Sequence, residues 1–599
     1  MHTGNGSVFG FKTMNLTQFL NTNNERFPHQ PAIGFKKKEV WKDINWKEFR
    51  RMVFKTANAL KSSGISENDK VAIYADNSAE WIVFDLAVLS LGAITVPIYS
   101  TNNLEQAAYI LNDSESKMIL VGNQQQYDAA FEIAANSPFL QEIIVAKKAV
   151  WTKKERTHYL EDFVKNADDN FSIVEKNGDD LATIIYTSGT TGVPKGVMLT
   201  HRNFTECFQA HFDFFKFKNF EKEHSLAFLP LTHVFERSWT LLCLTGGAKV
   251  SFLENTKLIA TALTEVKPTM MCSVPRFYQK IYAGVNEMVA NGSSLKKKIF
   301  NFALNAGSQV SEFKRLEKRV PAGLAVKNKI AHLLVFKKIK NKMGGQLWFM
   351  PCGGASISPE VTRFFDAMGI HITVGYGLTE TTATLTAFPF KHYVHGSAGI
   401  PLGDTQLRLG ENDEILAKGS GIMKGYYKKP NETADVFTQD GWFKTGDAGK
   451  FDASGNLFIT DRIKDLMKTS NGKYITPQPI ENLLSNDNFI NQAMVVAEGR
   501  PYVTALIIPN FEALKDYLPK LNIDFTNWDE VVNMDKVKEF YHQKIEQIQR
   551  QLSGFEKVKK FILMPAEFEI GSGEITPTLK VKRNVVQQKY AEMIGRMYQ

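Results

Sequence analysis

The stretch Tyr186-Thr-Ser-Gly-Thr-Thr-Gly-Val-Pro-Lys-Gly196 gathers glycines, hydroxyls and one lysine into a short run. Gly189 and Gly192 let backbone N–H groups turn toward one point and approach it closely. Thr187, Ser188, Thr190 and Thr191 add hydroxyl donors. Lys195 adds a mobile positive charge for outer phosphates. Such a set holds phosphate oxygens. It is not the G-x-x-x-x-G-K-[ST] loop, because Gly196 follows the lysine where Ser or Thr would hold magnesium. The plain alternative is a flexible Gly/Thr turn. A run of this composition straight after the buried-strand pattern Leu181–Tyr186 disfavours that alternative.

A loop of this kind needs a rigid frame. From Asp69 the sequence alternates between strand and helix patterns: a strand at Val71–Tyr74, a helix at Ala79–Leu91, a strand at Ala93–Ile98, a helix at Leu104–Leu111 and a strand at Met118–Val121. This order predicts a mostly parallel sheet flanked by helices, and it resumes at Leu181–Tyr186 and continues past Val374. Beyond Gly455 the elements shorten, with a hairpin-like pair at Gln492–Ala497 and Val503–Ile508 and a charged helical stretch at Asp535–Leu552. The chain therefore reads as α/β. A large N-terminal domain, residues 1–460, has parallel or mixed sheets, and a small α+β C-terminal domain covers 461–599.

The 599 residues are too many for one core. Cys207, Cys243, Cys272 and Cys352 are spread without a C-x-x-C pair, which argues against a disulfide scaffold or a zinc site and fits a reducing cytosol. Met1 to Thr13 is polar and lacks a secretory pattern, and Met14 is a second candidate start. The longest apolar stretch, Trp81 to Ile98, has the length of a membrane span. Gly92 and the following β-branched run favour a buried helix, a turn and a buried strand instead.

The net charge is +9. Residues 293–342 alone hold thirteen Lys/Arg against Glu312 and Glu317, more than the whole excess. A nucleic-acid surface would carry aromatic or groove-reading residues within its basic face; here the cations alternate with apolar residues at helical spacing, as in Leu333–Lys340. No nucleic-acid partner is expected. Two readings of this segment stand: a solvated helical face, or a surface that meets anionic lipid or an anionic cosubstrate.

Tyr186 to His201, YTSGTTGVPKGVMLTH, resembles the AMP-binding signature of the acyl-adenylate-forming superfamily. Further segments resemble its other motifs in the same order. They are Gly353–Ser358, Gly375–Glu380, Gly441–Asp447, Asp461–Asp465 and Gly573–Lys580. Leu229-Pro-Leu-Thr-His-Val-Phe-Glu-Arg237 and Lys267–Arg276 are similar to the long-chain fatty acid:CoA ligase group, as is Thr576-Pro-Thr-Leu-Lys580.

The resemblance implies ATP, Mg²⁺ and CoA as cosubstrates and cofactor, a long-chain fatty acid as substrate, and a mobile C-terminal domain. It places the outer phosphates at Thr187–Lys195, the metal at Glu380 with Thr187, and adenine between Tyr376 and Gly354–Ala355 beside Gly377. Thr379 is a further nucleotide contact; taken alone, Thr379 and Glu380 would read instead as a helix cap and its partner. Asp447 takes the ribose hydroxyls. Arg462, Lys464 and Lys468 are nucleotide contacts by position, with Lys464 at the hinge. Lys580 serves the adenylation half-reaction, with Lys582 as a second candidate. His233 lies near the reacting carboxylate, and Trp239 gates an acyl tunnel. Lys195, His233 and Lys580 are the catalytic set. The enzyme is expected in the cytoplasm or peripherally on the inner face of the membrane. Two other readings stay open: transfer to a carrier-protein thiol, and a non-catalytic homologue on the same fold.

Overall fold

The computed structural model describes residues 15–153, 155–187, 193–462, 467–569, 571–575 and 581–599. Its central sheet has eight strands. Five neighbouring strands, Ile94–Ile98, Lys70–Tyr74, Met118–Val121, Glu142–Val145 and Thr157–Tyr159, run parallel, as the alternating pattern predicts. Leu181–Thr187 joins them in parallel beside Ile94–Ile98 and then pairs antiparallel with Lys195–Thr200. The sheet is therefore mixed, and the phosphate loop connects two of its strands.

Trp81–Ile98 is a helix, a turn and a strand. The helix Ala79–Ser90 is capped by Ser78, whose side chain accepts from Trp81 N. Gly92 has φ +74°, and Ile94–Ile98 is buried throughout. Among the described residues no helix is long and apolar enough to cross a membrane. The helix is apolar all round because protein surrounds it.

A second four-stranded sheet contains His224–Ala227, Lys249–Phe252, Pro31–Lys37 and Val40–Asn45. A third contains Phe349–Cys352, His371–Tyr376, Thr386–Ala387 and Ile400–Pro401. Parallel bridges through Met270 join these two. A fourth, antiparallel sheet ends with Phe443–Phe451 paired to Leu457–Arg462. The next described residue, Met467, belongs to a separate core with Ile480, Ile507 and Tyr541. In that C-terminal unit Ile490–Val496 and Thr504–Pro509 form the expected antiparallel pair, and Lys560–Leu563 adds a parallel strand. The charged helix runs Asp535–Ile548 and finishes in a 3₁₀ turn, Gln549–Gln551.

Candidate active site

Strands of the third and fourth sheets, and the ends of Leu181–Thr187 and Lys195–Thr200 in the central sheet, open onto one cleft of about 1270 Å³. On one wall of the cleft the strand His371–Tyr376 ends at Tyr376. A side chain at Gly377 would press against Ala383 O at 2.2 Å, so the chain turns there only with glycine. A single 3₁₀ turn, Thr379–Thr381, then presents Glu380. Thr379 does not cap a helix. The turn is too short to need one, and Leu378 N donates instead to Thr381 Oγ1 at 2.9 Å. Across the cleft the strand Phe349–Cys352 leads into Gly354, with φ +87°, and Ala355, and both line the cleft.

Asp447 joins this wall from another sheet. It is 4% exposed. Its Oδ2 accepts from the Tyr376 hydroxyl at 2.7 Å, and its Oδ1 accepts from Arg462 Nε at 3.0 Å. The strand pairing Asp447↔Arg462 sets the second contact. Burial first, and the Asp447 charge second, push the Tyr376 hydroxyl well up, so it remains a donor. A carboxylate has about four lone-pair sites, so two remain for incoming hydroxyl donors.

At the phosphate end, Thr187 and Lys195 face each other in the strand register and both line the cleft. Ser188, Gly189, Thr190, Thr191 and Gly192 lie outside the described residues. The loop's two ends are tied. The Tyr186 hydroxyl donates to Asp113 Oδ2 at 2.5 Å, and the Tyr109 hydroxyl donates to Pro194 O at 3.1 Å. Tyr426 sits between the two charged groups of this end. Its hydroxyl donates to Glu380 Oε1 at 2.9 Å, and Lys195 Nζ lies 5.1 Å from its ring centroid. Burial raises the Glu380 carboxyl above its ordinary range, against the opposing pull of the Tyr426 bond and Arg462. The desolvated Glu380 carboxylate and the Thr187 hydroxyl, both lining this end, are oxygen donors. That chemistry fits Mg²⁺, which takes one or two carboxylates plus phosphate oxygens, and does not fit a soft metal.

His233 caps the helix Val234–Thr245, and its Nδ1 accepts from Phe235 N at 3.2 Å. Trp239, on the same helix, is 5% exposed and donates from Nε1 to Ser225 Oγ at 2.9 Å. Both line the cleft beside Phe208, Phe215 and Leu242, so a polar mouth opens onto apolar walls. A buried ion pair holds this helix in place. Arg237 grips Asp85 through Nη2–Oδ1 at 2.6 Å and Nε–Oδ2 at 3.0 Å, and Nη1 donates to Thr183 Oγ1 at 2.7 Å. Removing one partner of such a pair costs about 3–5 kcal/mol.

The C-terminal unit closes the cleft with Gln478, Glu481, Asn482, Lys582 and Arg583 among its lining residues. Arg583 donates to both Glu481 oxygens at 2.6 Å. Lys464 and Lys580 lie outside the described residues. Lys468 does not line the cleft: its ammonium lies 5.5 Å from the Tyr474 ring centroid, and its N–H donates to Glu498. The hairpin that carries Lys468 turns it toward its own partner strand.

Residues 20–427 match the AMP-binding enzyme family, and residues 464–599 match the AMP-binding enzyme C-terminal domain. The chain belongs to the AMP-binding enzyme family. It is 31% identical to a long-chain-fatty-acid–CoA ligase of Mycobacterium bovis, over 93% of each chain. It is 28% identical to long-chain-fatty-acid–CoA ligase 5 of Rattus norvegicus, over 95% of this chain and 86% of that one. The fold is that of an anthranilate CoA ligase solved with anthranoyl-AMP, with a TM-score of 0.75 and 17% identity, covering 98% of both chains. Within the AMP-binding family the chain falls in the long-chain-fatty-acid–CoA ligase group and is an acid–thiol ligase.

Three features of this family member escape motif reading. Asp85 looks like an interruption in an apolar run, yet it anchors the His233 helix. Tyr426 follows the glycine of Lys-Gly-Tyr-Tyr, which signals only a turn. Tyr109 sits in a helix remote from the loop that it ties. A charged residue within a largely apolar helix, Asp85, is the one sequence signal that could have suggested a buried partner.

Proposed function

We propose that this chain joins a long-chain fatty acid to CoA in two steps, consuming ATP and releasing pyrophosphate and AMP. The supporting observation is the single cleft that sets Lys195, Glu380, Tyr376 and Asp447 beside His233 and apolar walls. In this reading ATP lies with adenine between Tyr376 and Gly354–Ala355 and with its ribose on Asp447. Thr187, the loop Ser188–Gly192 and Lys195 hold the outer phosphates. Glu380 and Thr187 hold Mg²⁺, which supplies charge neutralisation at the phosphates. His233 meets the fatty acid carboxylate, and the tail lies past Trp239. Each buried methylene stabilises the bound tail by about 0.8 kcal/mol, so apolar walls favour long chains.

The carboxylate attacks the α-phosphorus and pyrophosphate leaves. Two anions meet, so the residues act chiefly by neutralising and orienting charge. Lys580 serves this half-reaction. The division at 460/461 then lets residues 461–599 turn about Lys464 and admit CoA, whose thiolate displaces AMP from the acyl carbon. Arg462 orients Asp447, and Lys468 reaches the nucleotide only in another orientation of that unit. The acyl substrate partitions into bilayers, so the reading includes a cytoplasmic enzyme in peripheral contact with a membrane through residues 293–342.

The test is pyrophosphate release dependent on fatty acid, with and without CoA. Release with acids of about C8–C18, increasing with tail length, is the expected result. No release with any of them would falsify the reading. Acyl-AMP that CoA leaves unconsumed and a carrier-protein thiol consumes assigns the other acceptor.

A further inference from the structure

One stretch of chain holds His233 from both sides. After the strand Lys70–Tyr74, Asn77 and the cap Ser78 lead into the helix Ala79–Ser90. Asp85 of that helix grips Arg237, just beyond His233. Asn77 grips the turn just before it. Its Nδ2 donates to Leu229 O at 2.7 Å, and its Oδ1 accepts from Leu231 N at 2.9 Å. The amide thus meets the turn as a peptide group of a neighbouring strand would. Further bonds complete the turn. Leu229 N donates to Glu236 Oε2 at 3.0 Å, Thr232 Oγ1 donates to Ile98 O at 3.4 Å, and His233 N donates to Pro230 O at 2.9 Å. Asn77, Leu231, Thr232 and Glu236 are all buried.

An Asn just ahead of a helix cap ordinarily bonds its own turn. Asn77 instead directs both ends of its amide to residues 152 and 154 positions away. A buried backbone N–H needs a partner, so the amide decides where this turn lies. The turn in turn sets the His233 ring. Its Nδ1 accepts from Phe235 N, which leaves the ring proton on Nε2. That nitrogen is then a donor, the form that can meet a carboxylate oxygen. Misplacing a reacting group by about 1 Å can cost about 10²-fold in rate.

We infer that Asn77 is a positioning residue for the fatty acid carboxylate. It does not line the cleft. It fixes the turn Leu229–His233 against the same frame that Asp85 fixes from the other side, so the His233 ring is set before the acid arrives. The inference rests on the proposed role of His233 and deepens it by naming a residue outside the cleft that sets it.

The test is steady-state pyrophosphate release by the full-length protein with ATP and palmitate. Asn77→Ala removes both bonds, and Asn77→Asp keeps the acceptor for Leu231 N but sets a carboxylate against Leu229 O. In each, as in His233→Ala, kcat/KM for palmitate should fall about 10–100-fold. The KM for ATP, set on the other wall, should stay within about twofold of wild type. In the His233→Ala background Asn77→Asp should add nothing, because it acts through that ring. A residue that only supports the fold would lower kcat/KM further there. Additive losses, an equal rise in the KM for ATP, unfolded protein from both Asn77 variants, or wild-type kcat/KM in both overturns the inference. Wild-type kcat/KM in His233→Ala removes the role of His233, and the inference falls with it. No release by the wild-type protein removes the ligase reading itself, and both fall.

Discussion

Asp447, on the nucleotide wall, is buried and holds two protein donors, Tyr376 and Arg462. Across the cleft, the side-chain contacts that tie the C-terminal unit to the large one include neutral amides and a hydroxyl. Asn482 donates to Ser356 Oγ at 2.6 Å, Gln279 donates to Asn486 Oδ1 at 3.2 Å, and Arg276 donates to Asn491 Oδ1 at 2.8 Å. The two neutral contacts contribute roughly 0.5–1.5 kcal/mol each, and the one from the charged Arg276, which also lies 3.9 Å from Glu567, about 1.5–3 kcal/mol. One wall is set by charge in a desolvated place before any ligand arrives. The other is held mostly by neutral, exchangeable contacts, with Arg276 its one charged donor among those named. The contrast suits a site in which nucleotide binding is fixed and the opposite wall is replaced between half-reactions.

The largest test of that contrast is Lys580→Ala. It should lower fatty-acid-dependent pyrophosphate release by about 10²–10³-fold or more, the scale of losing a charge aimed at the transition state. Thioester formation from supplied acyl-AMP should stay near wild type. Equal loss in both assays would mean that the lysine belongs to the fixed wall.

Asp447→Asn probes the fixed wall directly. One amide replaces a carboxylate that holds two donors, and the KM for ATP should rise about 10–100-fold, the value of hydrogen bonds to a charged group. Because the wall is prebuilt, Tyr376→Phe in the Asp447→Asn background should add little. Fully additive losses would show that the two residues act independently.

Tyr426→Phe removes the hydroxyl that donates to Glu380. It should weaken apparent Mg²⁺ affinity by about tenfold, read from the metal dependence of pyrophosphate release. The pH dependence has a definite sign. Glu380 lies above the ordinary carboxylate range because burial disfavours its charge, and the Tyr426 bond pulls it back down. A protonated carboxyl does not hold the cation, so Mg²⁺ affinity falls as pH drops through the Glu380 pKa. Losing the bond raises that pKa, so the acid limb should move to higher pH in the variant. An unmoved limb would place Tyr426 outside the metal site.

Family resemblance, carried by motifs a few residues long, picked out the residues of this wall, and the fold brings Tyr376, Gly354 and Asp447 to one cleft. The glycines around Tyr376, the hydroxyls of the loop and the acid of Thr-Gly-Asp each carry their signal within a few residues. The alternation from Asp69 likewise gave the parallel strands, because a buried parallel strand is an apolar run wherever it sits. The pairings between distant residues were not readable. Tyr376 and Asp447 stand 71 positions apart, and Asp85 and Arg237 stand 152 apart, so no window contains both members. Lys468 differs, since its partner Tyr474 is close in sequence, but only the folded hairpin shows that the ammonium faces that ring. Helical spacing in 322–342 was readable too. Which of its residues are buried is decided by what packs beneath Ala331 and Phe336.

Asn482→Ala carries the smallest effect and tests the exchangeable wall. Asn482 lies on the helix Pro477–Ser485 and meets Ser356, which follows the adenine-side loop. In this arrangement Lys582 and Arg583 line the cleft, and on the proposed reading the contact belongs to the adenylation orientation. Losing about 1 kcal/mol from one of two interchanging orientations shifts their ratio by roughly fivefold. Adenylation should fall by up to that factor, while transfer from supplied acyl-AMP holds or rises. A change in both half-reactions together would mean that the helix only packs against the large unit. A shift confined to adenylation, reversed by Asn482→Gln but not by Asn482→Leu, would identify the amide contact as part of what selects the orientation.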